Sequence, residues 1–232
     1  MLRELHKTER KQQILSAARR LIRKKGFTSL SMRELAKEAR VSLVTPYNLF
    51  GSKADVLYAL LESLFDKIKS ALDELDLQDP IDAMYALTQF SVKEYARDPV
   101  FYRSLLASMV TTGESLPVPR IVQRHTTLWR RGLDAGIAQG LFQPHTRADL
   151  VARQIQVNYR GAMELWIEGG VDIEGFETQL LYGLSLCLLA VATTKGRTRV
   201  LGRLQDIEQQ LDRLTRNWTI DEPDDQNKEV AQ

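Results

Sequence analysis

Cysteine is nearly absent from this chain: Cys187 stands alone, so no intramolecular disulfide framework is available. That usage fits a reducing cytoplasm, where the protein is expected to reside. Histidine is almost as scarce. His6, His125 and His145 are scattered, and none stands at metal-ligand spacing from another histidine or from Cys187. Neither a glycine-rich phosphate loop nor a nucleophile elbow occurs, and neighbouring carboxylates fall mainly on charged helix faces, where solvation explains them. No catalytic residue, metal site or cofactor is therefore expected, and the chain does not read as an enzyme. Hydrophobic runs are short too. The longest uncharged stretch, Thr178 to Thr194, has 17 residues and includes Gln, Gly, Ser and Thr. A membrane span needs about 20 apolar residues, so a buried helix is the better expectation. The opening MLRELHKTERKQQ is charged and lacks the apolar centre of a secretory leader. Sustained period-two alternation is missing as well, which leaves no strand to defend.

What is present is charge, unevenly placed, and helical punctuation. Residues 1–57 hold 13 Lys/Arg against 5 Asp/Glu, a net of +8, while the remaining residues hold 19 against 25, a net of −6. A basic head on an acidic body suits an anionic partner such as nucleic acid. A first helix is predicted over 9–25, with Ile14, Ala17, Ala18, Leu21 and Ile22 at helical spacing and Gly26 as its stop. Ser31 and Glu34 form a capping box that opens a short second helix, and Ser42 is the expected N-cap of a third. Ser52 and Asp55 then start a long fourth helix with an apolar stripe from Val56 to Leu75. Asp79-Pro80 and Asp98-Pro99 each pair an N-cap with proline at the first helical position. Helices are expected over 118–139, from Thr146 to Gly169, over 173–194 and over 197–217. The acidic tail, residues 219–232, has too little to bury and is expected to be disordered. The fold class is all-α, with a helix-turn-helix DNA-binding domain over 1–52 and a helical domain over 53–218.

The stretch VSLVTPYNLFGSKADVL, residues 41–57, interrupts this pattern with Pro46 inside the third helix. In a helix-turn-helix the second member enters the major groove with its first residues at the base edges, so a short reading helix suffices. With Ser42 as N-cap, Pro46 forfeits only the first backbone bond, back to Ser42. A Tyr47 hydroxyl can donate to a phosphate, and Asn48 can reach a phosphate or a base edge. Lys53 adds a cation at a helix start that already favours anions.

Residues 14–57 resemble the DNA-binding domain of the tetracycline-repressor (TetR) family of bacterial transcriptional regulators. The matching residues are Ala17-Ala18, Gly26-Phe27, Leu35-Ala36, Val41-Ser42, Thr45, Tyr47, Phe50, Ser52-Lys53 and Leu57. The resemblance implies phosphate contacts from Thr45, Tyr47 and Lys53. It turns Leu43, Val44 and Asn48 to the groove, and puts Ser31, Arg33 and Thr28 at the helix that crosses the backbone, with Ser42 at the start of the reading helix. Three positions depart from the family pattern. Arg40 stands where glycine is usual, Leu49 where histidine is common, and Pro46 where an aliphatic residue is usual. A left-handed Arg40 would carry strain of about 1 kcal/mol, while its charge adds it to the DNA-contacting set.

The resemblance further implies a homodimer, a small-molecule effector and, by family default, repression at an inverted-repeat operator. Phe176 to Thr194 is apolar nearly all round, as a helix buried on two sides should be, so the dimer is expected through helices about 147–168 and 173–194. An apolar or aromatic effector is expected in a pocket lined by Phe90, Phe101, Tyr102, Met109, Trp129, Tyr159, Met163 and Trp166, with His125 and Asn158 as its polar groups. The rival reading is a helical scaffold whose basic head meets an acidic protein. Salt separates the two, because binding through several phosphates weakens steeply between about 50 and 200 mM.

Overall fold

The computed structural model describes residues 2–75, 78–111 and 118–215, so the expected disordered tail at 219–232 lies outside the described residues. Ten helices follow one another in the described chain. Three form the head: α1 (Leu2–Lys25), α2 (Met32–Glu38) and α3 (Val44–Phe50). A long α4 (Lys53–Glu74) leads into α5 (Pro80–Ala96), α6 (Pro99–Thr111), α7 (Val118–Ala138), α8 (Ala148–Glu168), α9 (Ile173–Leu189) and α10 (Thr194–Thr215). Among the described residues no strand forms, and one isolated antiparallel bridge joins Phe142 to Ala192.

The punctuation acts through the predicted atoms. Ser31 Oγ accepts from the Glu34 amide at 3.2 Å, Ser52 Oγ accepts from the Asp55 amide at 3.2 Å, and Asp79 Oδ1 accepts from Ile81 and Asp82 at 2.9 and 3.0 Å. Each bond satisfies a donor that a helix start leaves over.

Ser42 behaves differently from expectation. Its hydroxyl lies 2.7 Å from the Thr45 hydroxyl rather than on a backbone amide, and α3 has no side-chain cap. Pro46 has no N–H for the Ser42 carbonyl, and that carbonyl instead accepts from the Thr45 amide at 3.0 Å. The proline ring, freed of any backbone duty, is buried under α3.

Three element boundaries also moved. The first helix begins at Leu2 rather than residue 9, because LRELHKT has no breaker, although its leucines, Leu2 and Leu5, lie off the Ile14 stripe. The ninth helix ends at Leu189 rather than 194. The Gln143 amide takes the Val191 carbonyl at 2.9 Å and the Thr193 amide takes the Leu141 carbonyl at 3.0 Å, so residues 190–193 leave the helix to pair with the α7–α8 connection. A Cβ at Gly196 would sit 2.1 Å from the Leu141 carbonyl oxygen, so only glycine admits this approach. The next helix accordingly starts at Thr194. Thr146 does not cap α8, since its hydroxyl is buried without a partner.

The head has its own core of Ile14, Ala17, Ala18, Met32, Leu35, Ala39 and Val56. The larger core runs through the body and takes in Ile22, Phe27 and Leu30 from the head. α10 is held on α5 by charge: Arg199 lies 2.8 Å from Asp79, Arg203 lies 2.6 Å from Asp82, and the Arg203 guanidinium sits over the Tyr85 ring at 4.6 Å.

Arg40 has φ 53°, the one left-handed non-glycine among the described residues. It closes α2 with the bonds of a Schellman turn, Val41 amide to Ala36 carbonyl at 3.0 Å and Arg40 amide to Lys37 carbonyl at 3.1 Å. Arg40→Gly should relieve about 1 kcal/mol of strain, partly offset by glycine's freer unfolded chain. A β-branched Arg40→Val should instead cost about 1–2 kcal/mol. Urea midpoints of the two variants, one above and one below wild type, check this.

Candidate functional site

The expected reading face is made by α3 and the residues on either side of it. Pro46 is buried, and Leu49 and Phe50 are half-buried against the head core. Helical geometry therefore turns Leu43, Val44, Tyr47 and Asn48 outward. Three of these are large and apolar yet open to solvent, Leu43 at 50%, Val44 at 60% and Tyr47 at 50% exposure. Ser42 and Asn48 are exposed beside them, while Thr45 is half-buried and bonded to Ser42. Thr28, Ser31, Arg33 and Arg40 are exposed along the start and end of α2.

Lys53 is tied down rather than free. Its ammonium donates to the Thr28 carbonyl at 3.0 Å and lies 4.6 Å from the Phe27 ring centroid. Two ammonium protons remain for an anion, and their position is fixed.

Head and body meet through more than α4. Arg19 of α1 lies 3.3 Å from Asp98, and its guanidinium covers the Phe101 ring at 4.4 Å. Arg23 reaches the same carboxylate at 3.6 Å. The Phe27 amide donates to Ser104 Oγ of α6 at 3.3 Å. No sequence signal singles out these contacts, because Arg19 and Arg23 read as ordinary members of a basic helix.

Within the body a cavity of about 50 Å³ lies between α4, α7 and α8. Leu61, Leu64, Phe65 and Ile68 form the α4 wall, and His125, Gln156, Tyr159 and Met163 face them. Ser91 and Tyr95 close one side, and the exposed Arg160 stands at the rim.

Of the expected lining, His125, Tyr159 and Met163 reach the cavity. Trp129 packs edge-on against His125 at 5.4 Å, Trp166 stacks on Phe176 and Tyr95, and Phe101 and Tyr102 are buried against Arg19, so these four support the site from behind. Phe90 points out of the bundle into a groove between α1, α4 and α5. Asn158 faces α9, donating to the Gly183 carbonyl and the Cys187 sulfur at 3.4 Å each. Both therefore leave the expected set. The side chain of Met109 lies outside the described residues. Gln156 was missed, although it shares a helical face with Tyr159 and Met163, a spacing that could have found it.

The polar centre of the cavity is neutral. His125 Nδ1 lies 2.5 Å from Gln156 Oε1; with the amide oxygen accepting, the proton sits on Nδ1 and Nε2 keeps its lone pair. Burial, opposed only by the Gln156 bond, lowers the His125 pKa to about 4. Burial likewise pushes Tyr159 up to about 12 and Tyr95 well above the usual tyrosine value, and the two hydroxyls are 3.1 Å apart.

Known proteins agree with this geometry. The family model described as bacterial regulatory proteins, tetR family, matches residues 14–60. The HTH-type transcriptional regulator HbdR of Aromatoleum sp. (strain CIB) is 23% identical over 194 residues, 82% of this chain and 84% of that one. The HTH-type transcriptional repressor NicS of Pseudomonas putida is 29% identical over 136 residues, 56% of this chain and 64% of that one. The crystal structure of a TetR-family regulator from Syntrophomonas wolfei superposes with a TM-score of 0.66 at 23% identity, covering 78% of this chain and 96% of that one.

Proposed function

The chain belongs to the tetracycline-repressor family of bacterial regulatory proteins, which are transcription regulators and not enzymes, and from that premise we propose a cytoplasmic repressor that binds an inverted-repeat operator as a homodimer and is released by a small apolar effector. The observation that carries the DNA half is the reading face: Leu43 at the N-cap of α3, with Val44 and Tyr47 on the helix itself, stands exposed. Apolar side chains so placed suit thymine methyls in the major groove, and the exposed Asn48 amide has the donor and acceptor that an adenine edge takes. Tyr47, Thr45, Thr28, Ser31, Arg33, Arg40 and Lys53 surround them with phosphate-binding groups.

The dimer reading rests on α8 and α9. Leu150 (47% exposed), Val157 (57%) and Leu165 (38%) recur along one line of α8 with Gly161 between them, and Leu186 (46%) stands on α9. A Cβ at Gly161 would meet nothing within 4 Å, which leaves room for a partner helix to approach. The pair is shorter than its sequence pattern suggested, since α9 stops at Leu189.

The effector reading rests on the cavity. An apolar body fits between the α4 wall and Tyr159, and a hydroxyl or amide can donate to His125 Nε2. The present volume of about 50 Å³ is far below the roughly 300 Å³ at which drug-sized pockets begin. Binding must therefore part α4 from α8. Because α4 starts at Lys53, inside the head, that motion changes the spacing of the two reading helices. Release then follows to the extent that the effector prefers the parted state.

Selection from a randomised duplex pool at about 150 mM salt tests the DNA reading. An inverted repeat should be enriched, and Tyr47→Phe should weaken binding about fivefold at every recovered site, the worth of one hydrogen bond. Recovery of no common sequence would overturn the proposal.

A further inference from the structure

We propose that the first turns of α1 are a second DNA-contacting element, in which Lys7 and Arg10 bind backbone phosphates beside the reading helix. This rests on the DNA-binding reading above and adds to it a segment that precedes the matched residues 14–60.

The argument starts from helical register. Ile14, Ala17 and Ala18 are fully buried in the head core. Four and seven residues back along the same face stand Arg10 and Lys7. The core ends at Ile14: residues 4–10 are all exposed, yet the helix continues to Leu2. The stripe that packs the head thus runs on past it with cations in place of apolar groups. At 1.5 Å per residue these stand about 6 and 10 Å beyond Ile14 along the axis.

Their neighbours identify the partner. Lys7 and Arg10 line an open groove of about 570 Å³ whose other wall is Thr45, Asn48 and Leu49 of α3. A duplex that receives α3 in its major groove brings the bordering phosphates to this same place. Among the described residues neither cation has an ion pair. On the other flank of α1, by contrast, Arg20 is neutralised by Glu38 and Lys25 by Glu34, each at 2.7 Å. Glu4 and His6 share the groove, and Glu4 is the carboxylate that opposes an anion there. Two free cations against one carboxylate favour a phosphodiester chain, whose charges recur every 3.4 Å or so along the axis.

The test uses the full-length protein and the duplex recovered by selection. Each phosphate contact contributes about 0.9 to the slope of log affinity against log salt, so Lys7→Ala/Arg10→Ala should make that slope shallower by about 1.8 and lower affinity roughly tenfold or more at about 150 mM. The loss should be equal across operator variants, and Arg10→Lys should keep the wild-type slope. Both side chains are exposed, so the thermal melt should not move. Glu4→Gln, which removes the opposing charge without touching the core, should raise affinity at about 50 mM salt. An unchanged slope in the double variant, a loss confined to particular base pairs, or no effect of Glu4→Gln would overturn the assignment while leaving α3 as the reading helix. Wild-type protein that retained no duplex would overturn the DNA reading and this element together.

Discussion

Leu186→Arg should convert the protein to a monomer at micromolar concentration and lower operator affinity by at least about a hundredfold. Leu186 is 46% exposed on α9, beside the α8 line of Leu150, Val157 and Leu165. In the proposed dimer a two-fold axis between these helices would bring each change into the interface twice. Losing two buried leucines removes about 1.5–3 kcal/mol each, and two unpaired guanidinium groups brought together cost several more. Those terms exceed what a micromolar dimer of about 8 kcal/mol can lose and persist. The monomer keeps its head, and so keeps weak contact with a half-site, but it no longer ties two reading helices to one inverted repeat. Because Leu186 does not belong to the monomer core, helicity and the melt of the isolated chain should stay near wild type. Sedimentation velocity and operator titration read the two effects separately. A variant that still sediments as a dimer with full operator affinity would place the interface elsewhere.

How much of this was legible beforehand depends on the range of the interaction. Capping is local, so Ser31 with Glu34, Ser52 with Asp55, and Asp79 before Pro80 announced their helices within four residues. Arg40 was also legible, because only a left-handed residue closes α2 there, and the glycine expected at that place named the conformation in advance. Boundaries set by partners distant in sequence were not. Nothing near Ala190 says that Val191 and Thr193 will pair with residues 141–143, and so α9 was read five residues too long. The α1 start was missed for a different reason: residues 4–10 are all exposed, and apolar periodicity does not mark them.

The cavity shows the same division. Tyr159, Met163 and His125 were identifiable as aromatic, flexible or polar residues on apolar faces. Which of several such residues converge is a matter of helix rotation. Phe90 and Asn158 lie on the same helices as true neighbours of the site, α5 and α8, but about a third of a turn round from the cavity. The Arg19–Asp98 pair and the Phe27–Ser104 bond couple α1 directly to α6. The head is therefore braced at two places, at α4 and at α6.

The second large effect concerns pH and belongs to His125. Its folded pKa of about 4 lies below the value of about 6.5 for an unfolded histidine. As pH falls through 6.5 the unfolded chain takes up a proton that the folded chain refuses, so stability drops by about 1.4 kcal/mol per pH unit until the folded imidazole also titrates. The stability is present above about pH 6.5, is lost on the way down to about 4, and amounts to about 3 kcal/mol over the whole window. The cause is geometric: His125 is enclosed by Phe65, Trp129 and Tyr159, with ring centroids at 5.8, 5.4 and 4.5 Å. Gln156 can accept one proton from the ring, and among the described residues no carboxylate is at hand to stabilise a second. His125→Gln keeps a donor for the Gln156 oxygen but cannot titrate. Aspartates and glutamates that protonate near the acid end of this window do so in both proteins and cancel in the difference. Urea unfolding of the two proteins should therefore show gaps that differ between about pH 7 and pH 5 by about 2 kcal/mol, with wild type losing more. Parallel curves would mean that water or a rearranged side chain reaches the imidazole, and that the cavity is wetter than its lining implies. A gap of the expected size would show that the imidazole is dry and neutral near pH 7, as the proposed apolar effector site requires.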